Sequence, residues 1–360
     1  MGKVTIGDVA REAGVALGTV SNALNHPEKV RPETLKLVNA AIGKLGYAPN
    51  QSARLLAGGK NPTIGLVIPR LDHGLSLQVA HGAGVEAERA GYGLVLASAE
   101  GDIEREASYA RYFAGTQLSG ILIQHVAQGD GPLPAQHGST PIAYVNVRSD
   151  APGHFVATDN AAQGALIAEH AALRGARRVA VIGALQTPQM RERLEGLTRT
   201  MEKYPDIALD VLEKGDGSSA GDGYGLARTL VDRSASRPDF IVGLTDVLAV
   251  GAVAGVQACG LAVPGDIAVS GCDGNPLAWG GTVPLTSCAP TGYEMGRRGV
   301  KLLIEQIELA RGDAAALARE LAENHQELVR PFMLMRASTL GADAPVSAMD
   351  ISSLNLGAYL

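Results

Sequence analysis

The chain has 360 residues, a net charge of −6 and no apolar run near the roughly 20 residues that a membrane helix needs, so it is too long for one small domain and does not read as a membrane protein. Taken whole, the acidic balance argues against nucleic acid as the partner. The three cysteines, Cys259, Cys272 and Cys288, lack metal-ligand spacing and read as reduced thiols, which excludes a disulfide framework and a cysteine zinc site.

The charge is uneven along the chain. Residues 1–60 carry eight basic against four acidic side chains, a net +4, which leaves −10 for the other 300 residues. Such a basic head on an acidic body fits phosphate contact at one end only. In that head, Ile6, Val9, Ala10 and Ala13 lie at helical spacing. Thr5 is placed to cap this first helix with Asp8 in a capping-box position, and Gly14 ends it. A second helix runs through Thr19-Val20-Ser21-Asn22-Ala23-Leu24-Asn25, with Val20 and Leu24 facing inward. Leu35, Val38, Ile42 and Leu45 mark a third, with Pro32 in its first turn and Gly46 at its stop. Two short helices joined by a tight glycine turn form a helix-turn-helix, the pattern whose second helix enters the major groove of DNA.

Residues 50–57 encode about two turns of helix between breakers, capped by Asn50 and stopped at Gly58. So short a helix is marginal alone and forms only when something packs on it. From Thr63 on, strand and helix patterns alternate. Strands are predicted at 64–68, 94–97, 121–123, 142–145, 179–182, 240–244 and 267–269. The helices fall around 77–90, 103–117, 160–173, 189–203, 220–233, 246–258 and 293–311, with a late strand around 327–334. Alternation at this period means parallel sheets covered on both faces, and two such series suggest two lobes. Residues 341–360 show no period and read as a flexible tail without the leucine heptads of a tetramerising helix.

The run Val4-Thr5-Ile6-x-Asp8-Val9-Ala10-x-x-Ala13-Gly14-Val15-x-x-x-Thr19-Val20-Ser21-x-x-Leu24-Asn25 resembles the signature of the LacI/GalR family of transcription regulators. Leu45-Gly46-Tyr47-x-Pro49-Asn50-x-x-Ala53-Arg54-x-Leu56 does so as well. In the body, Thr158-Asp159-Asn160-x-x-x-Gly164, Arg193-x-x-Gly196, Thr245-Asp246-x-x-Ala249-x-Gly251 and Pro284-Leu285-Thr286-Ser287 sit where the family has equivalent runs. The likeness spans about residues 3 to 340.

It implies an all-α helix-turn-helix headpiece (1–48), a hinge helix and linker (49–61), and an α/β core of two parallel-sheet lobes resembling type I periplasmic binding proteins (62–340). The first lobe would comprise about 62–158 and 291–323, the second about 159–290 and 324–340. It implies a homodimer on a near-palindromic DNA operator, acting most often as a repressor. A sugar or sugar derivative bound between the lobes would alter the spacing of the hinge segments, and so the DNA affinity.

The resemblance also assigns residues. Leu17, Gly18 and Asn22 take positions that face base edges, and Asn22 suits an adenine edge. Thr5, Thr19, Ser21, Asn25 and Tyr47 take positions against phosphates, where short hydroxyl and amide groups allow close approach. Lys29 and Arg31 would add phosphate attraction. In the hinge, Asn50, Ala53 and Arg54 flank Leu56, the family's minor-groove wedge. The cleft lining maps onto Pro69, Arg70, His73, Gln124, Asn146, Arg193, Thr245, Asp246 and Asp273. Of these, Arg193 and Asp273 are placed to hold vicinal hydroxyls by charge-assisted bonds.

This chain departs from the family pattern at Thr245, often asparagine, and at Gly274, often a second aspartate. It also lacks aromatics near His73 and in the loop 215–223, where one often stacks on a sugar ring. Trp279 is a candidate replacement. Arg70 and Arg148 leave two options open: with Arg193 they favour an acidic sugar, or they are solvent-facing lip residues.

Two other classes are weighed. A transported-solute binding protein would share the body but need an export signal and no DNA head, whereas this chain shows the reverse and is expected in the cytoplasm, at the nucleoid. An enzyme would need catalytic motifs, and neither GxxxxGK[ST] nor HExxH is present. No catalytic residue, metal or cofactor is therefore expected.

Overall fold

A computed structural model describes residues 4–47, 61–71, 73–125, 140–185, 187–213, 219–233, 236–275, 278–289 and 292–341. The hinge residues Asn50, Ala53, Arg54 and Leu56 and the tail from 342 lie outside them. The chain divides into two compact units, Met1–Pro62 and Thr63–Leu360.

Among the described residues, three α-helices build the first unit. α1 (Ile6–Ala13) begins at Thr5 with the expected capping box. The Asp8 amide donates to Thr5 Oγ1 at 3.3 Å, and the Thr5 amide donates to Asp8 Oδ2 at 2.9 Å. Gly14, at φ +67°, turns the chain into α2 (Leu17–Asn25). α3 (Pro32–Leu45) starts on Pro32 and stops at Gly46. Val9, Ala10, Val20, Ala23, Val38 and Ala41 meet at the buried centre, so each helix contributes one apolar stripe.

The second unit holds two six-stranded sheets. The first lobe contains β1 (Asn61–Ile68), α4 (Gly74–Arg89), β2 (Gly93–Ser98), α5 (Ile103–Gly115), β3 (Leu118–Gln124), β4 (Ile142–Val145) and β5 (Gly153–Thr158). The second contains α6 (Asn160–Leu173), β6 (Arg178–Gly183), α7 (Pro188–Met201), β7 (Ala208–Glu213), α8 (Ala220–Asp232), β8 (Phe240–Gly243), α9 (Asp246–Ala258), β9 (Ala268–Cys272) and β10 (Thr286–Ala289). The chain then returns through α10 (Gly292–Gly312), α11 (Ala314–Glu320) and β11 (Asn324–Val329) before ending in β12 (Phe332–Leu334) and α12 (Ala337–Leu340). The strand order is β11-β5-β4-β3-β1-β2 in one sheet and β12-β10-β9-β8-β6-β7 in the other.

Central strands such as β5 and β8 are buried along their whole length, as sheets covered on both faces require. Separate apolar clusters line the two faces of each sheet.

Two differences from the sequence reading concern strands. The late strand divides in two, and its first half, Asn324–Val329, pairs in parallel with β5 of the first lobe. The return to the second lobe therefore falls at Arg330-Pro331 and not at 323. The sequence alone could not separate these halves, because both lobes offer an open sheet edge. β5, β7 and β10 had no counterpart in the sequence pattern. β5 opens with Gly153-His154, which breaks its apolar pattern, and β7 is a half-exposed edge.

Candidate functional site

Two surfaces carry the polar chemistry, one in each unit. On the headpiece, α2 buries Val20 and Ala23 and turns the opposite face outward. Leu17 is 55% exposed, Gly18 and Asn22 are exposed, and Thr19 and Ser21 are half-buried beside them. Lys29 and Arg31 are exposed at the next turn, and Tyr47 packs its ring on the headpiece core. α2 extends to Asn25, which puts that residue at its C-terminal end. Thr5 is exposed, but its hydroxyl donates to Asp8 at 2.7 Å, so a phosphate would have to compete with that carboxylate.

The second surface is a cleft between the lobes, with a cavity of 270 Å³. It is lined from the first lobe by Pro69, Arg70, His73, Leu75, Gly101, Gln124, His125 and Asn146. Thr187, Gln189, Met190, Arg193, Thr245, Val247 and Asp273 line it from the second. Eight of the nine residues anticipated from sequence thus converge on one space. The size suits a small ligand.

Arg193 projects from α7 and is 6% exposed. Its Nη1 lies 2.8 Å from Asp273 Oδ1 and donates to the Leu244 carbonyl at 2.7 Å, while Nε donates to Asn160 Oδ1 at 3.2 Å. Burial is the largest single influence and weighs against its charge, but the attraction and hydrogen bond of Asp273, with smaller contributions from its neighbours, together hold the guanidinium above its ordinary range. α7 can bring Arg193 this close because Gly164 of α6 leaves room. A Cβ at Gly164 would lie 1.9 Å from the Arg193 carbonyl oxygen.

Asp273 sits at φ +109° and Asn146 at φ +63°, two non-glycine residues in backbone regions that cost energy to hold. Both lie on the cleft wall. Strain at two such positions is typical of sites whose side-chain direction matters more than local stability. Gln124 adds a second sign of unmet demand, since its Oε1 is buried with no hydrogen-bond partner. A ligand hydroxyl or amide would satisfy it.

The ninth anticipated residue, Asp246, does not line the cleft. Its Oδ1 accepts from Ser287 Oγ at 2.6 Å and its Oδ2 from the Asn275 amide at 2.5 Å, which fixes the loop that carries Asp273. Burial and then the neighbouring Asp273 charge push its carboxyl well above the usual range. Asp246 follows the N-cap Thr245, and helical geometry points it beneath the loop and away from the cavity.

Trp279, the candidate stacking ring, instead lies under the Arg336 guanidinium at 5.1 Å and lines no part of the cleft. Arg148 also stands outside it, 3.6 Å from Glu192. No Phe, Tyr or Trp is among the described lining residues.

Sequence reasoning missed His125 and Gln189. His125 Nδ1 lies 2.7 Å from Glu106 Oε1, with both groups buried, which leaves Nε2 as the other polar atom of a cleft-lining ring. Gln189 Nε2 donates to the Asn146 carbonyl at 2.8 Å across the lobes. A second inter-lobe bond runs from Gln78 Nε2 to the Gly274 carbonyl at 2.8 Å. No local pattern marks these residues, because their partners are remote in sequence.

The run Gly217-Ser218-Ser219-Ala220-Gly221 fits the Gly-x-Ser-x-Gly pattern of hydrolase nucleophiles. Ser219 is the N-cap of α8, however, and its hydroxyl donates to Asp222 at 2.6 Å.

Residues 5–50 match the model of bacterial regulatory proteins of the lacI family, and residues 168–339 match that of a periplasmic binding protein-like domain. The HTH-type transcriptional repressor PurR of Photobacterium profundum is 29% identical over 308 residues, covering 84% of this chain and 92% of that protein. The HTH-type transcriptional regulator CelR of Thermobifida fusca is 29% identical over 343 residues, covering 89% and 96%. Among solved structures, the lac repressor dimer bound to operator and the anti-inducer ONPF superposes with a TM-score of 0.76 at 24% identity, covering 94% of this chain and all of that one. A CelR–cellobiose complex gives 0.64 at 25% identity, covering 93% and 100%.

Proposed function

Because the chain belongs to the LacI family of bacterial regulatory proteins, we propose that it is a sequence-specific DNA-binding repressor whose operator affinity is set by a small, hydroxyl-rich effector held between the core lobes. It acts in the cytoplasm as a regulator and not as an enzyme.

The headpiece supports the first half of this reading. Leu17, Gly18 and Asn22 on the outward face of α2 take the base edges, and Thr19, Ser21, Asn25, Lys29, Arg31 and Tyr47 the phosphates. Thr5 joins the phosphate set where the phosphate displaces Asp8 from its hydroxyl. Asn50, Ala53, Arg54 and Leu56, in the hinge segment, complete the DNA-contacting set. A homodimer would present two such headpieces to a near-palindrome. Exposed apolar side chains on the first lobe support that assembly: Leu77 and Val85 on α4, and Val95 and Leu96 on the edge strand β2.

The observation that carries the effector half is the cleft wall itself, where Gln124, whose Oε1 has no partner, lines the same space as the Arg193–Asp273 pair. Such a pair offers one donor and one acceptor group to adjacent hydroxyls. The charge of Arg193 is already matched by Asp273, and Arg148 stands by Glu192, so the balance favours a neutral polyol over an acidic sugar. Without a flat aromatic on the described wall, recognition rests on hydrogen bonds and not on ring stacking.

Selection of duplexes from a random pool by the full-length protein tests the DNA half, with enrichment of a near-palindrome expected. Fluorescence anisotropy on that duplex, with paired neutral and acidic sugars, tests the effector half. Failure to enrich any palindrome, with or without metabolites, overturns the repressor reading; stronger response to the acidic partner overturns the neutral polyol.

A further inference from the structure

Far from the cleft, at the outer edge of the first lobe, three side chains converge that neither the fold nor DNA binding requires. His154 lies on β5 and His325 on β11, directly opposite each other in the parallel register. Their rings stack with centroids 4.5 Å apart and planes 17° from parallel. Glu320, the last residue of α11, closes the group. Its Oε1 stands 3.3 Å from His154 Nε2 and 3.2 Å from His325 Nε2, and all three donor atoms lie within 4.8 Å of one another. Glu323 Oε2 is 3.8 Å from the same His325 nitrogen.

From this we infer that His154, His325 and Glu320 form a binding site for a divalent transition-metal cation, zinc(II) being the best match.

Three observations carry it. The first is spacing: a tetrahedral zinc held at about 2.0–2.1 Å by each ligand sets its donor atoms about 3.3–3.4 Å apart. The two nitrogen–oxygen distances here fall at that edge length; the His154 one is a hydrogen bond that a bound ion would replace. The second is the state of the nitrogens. His325 Nε2 is buried and makes no hydrogen bond, although a carboxylate oxygen stands 3.2 Å away. The nitrogen is close to Glu320 yet misaligned for donation to it, which is how two ligands of one ion meet. The third is chemistry. Two imidazoles with one or two carboxylates form a borderline donor set that suits zinc over calcium or magnesium, which prefer all-oxygen shells.

The sequence hides the site because its ligands come from 154 and from 320–325, with no short motif joining them. In the fold, an ion here would clamp β11 to β5 and to the end of α11. β11 is the last element before the chain crosses into the second lobe at Arg330-Pro331.

The test uses full-length protein stripped of metal, titrated with zinc chloride in a calorimeter against a competing chelator. One zinc per chain is expected, with affinity falling on the order of tenfold or more in Glu320→Gln and in His325→Asn. Both positions are partly exposed, so both variants keep the fold, which circular dichroism checks. His81→Asn, elsewhere in the same lobe, leaves binding unchanged. Cobalt(II) gives a second readout: intense visible bands of a tetrahedral site in the parent protein, lost in His325→Asn. Absence of saturable zinc uptake overturns the site, and so does uptake that the two variants leave unaltered. DNA binding is not part of either readout, so failure here leaves the repressor reading standing.

Discussion

The two lobes repeat one plan and use it unequally. Strand for strand, β1 to β5 and then β11 take the same places in the first sheet as β6 to β10 and then β12 in the second. The closing strands differ: β11 joins in parallel over six residues, whereas β12 joins antiparallel over three. The cleft walls differ more. The second lobe presents an Arg193–Asp273 pair that is buried and tied to Asn160, Leu244 and, through the Asp246 loop, Ser287. The first presents Gln124 with an unmet acceptor and Asn146 in a positive-φ turn. One wall is therefore a fixed reference built before any ligand arrives, and the other waits for one.

The largest expected effect tests that asymmetry directly. Arg193→Met strands Asp273 in a buried position and is expected to cost about 3–5 kcal/mol in urea unfolding, together with the effector response. On the opposite wall, Gln124→Leu removes an acceptor that has no partner. It is expected to leave stability within about 1 kcal/mol of the parent while abolishing most of the effector response. Equal destabilisation by the two substitutions would remove the distinction between fixed and waiting walls.

Acid provides the next contrast. In the second lobe, His170 bonds Thr339 Oγ1 at 2.9 Å, and burial, with help from Arg174, lowers its pKa to about 4 from an ordinary 6.5. An unfolded chain then binds a proton that the folded one refuses between those values. The His170 contribution to stability is full above pH 6.5 and is lost as pH falls toward 4, by roughly 2–3 kcal/mol. His154 of the first lobe is also lowered by burial, but its bond to Glu320 pulls the other way. Denaturation between pH 7 and 4.5 should show a shallower slope in His170→Gln than in the parent; matching slopes would remove the assignment.

Helix seams sharpen the comparison further. Gly164 in the second lobe and Gly82 in the first each face a backbone carbonyl about where a Cβ would sit, at 1.9 Å from Arg193 and 2.0 Å from Tyr293. Alanine at either position should cost about 1–3 kcal/mol by overpacking. Only Gly164→Ala also moves a cleft residue, so it alone should weaken the effector response beyond its loss of stability. Anisotropy titrations at matched folded fraction separate the two effects.

These contrasts also show what the sequence could reveal. The three α-helices of the headpiece were legible because their signals are local: the Thr5–Asp8 box, Gly14, Pro32 and Gly46 each act within a turn of their neighbours. Helices α6 and α9 fall where the strand–helix alternation put them, at 160–173 and 246–258. In the cleft, Arg193 and Asp273 were reached through family position, not from any pattern that pairs them. Asp246 was assigned to the cleft through family position, which does not fix the side of the loop that its carboxylate takes. His125, Gln189 and the His154–His325 pair stayed hidden, as each depends on strand register or on a partner dozens of residues away.

The smallest effect concerns the contacts that hold the lobes together. Gln189 donates to the Asn146 carbonyl at the cleft, and Gln78 donates to the Gly274 carbonyl behind it. Gln78 is buried, so Gln78→Ala leaves a carbonyl without its donor in a dry place and shifts stability as well as lobe arrangement. Gln189 is half-buried, and water can replace its amide at the Asn146 carbonyl. Gln189→Ala should therefore leave the unfolding midpoint within about 0.5 kcal/mol while biasing the lobes apart by about the worth of one hydrogen bond, 0.5–1.5 kcal/mol. By linkage, a bias of that size changes effector affinity by roughly two- to tenfold, with operator affinity shifting in step. If Gln189→Ala alters effector affinity yet leaves operator affinity unmoved, the Gln189–Asn146 contact belongs to the ligand site alone and takes no part in coupling the cleft to DNA.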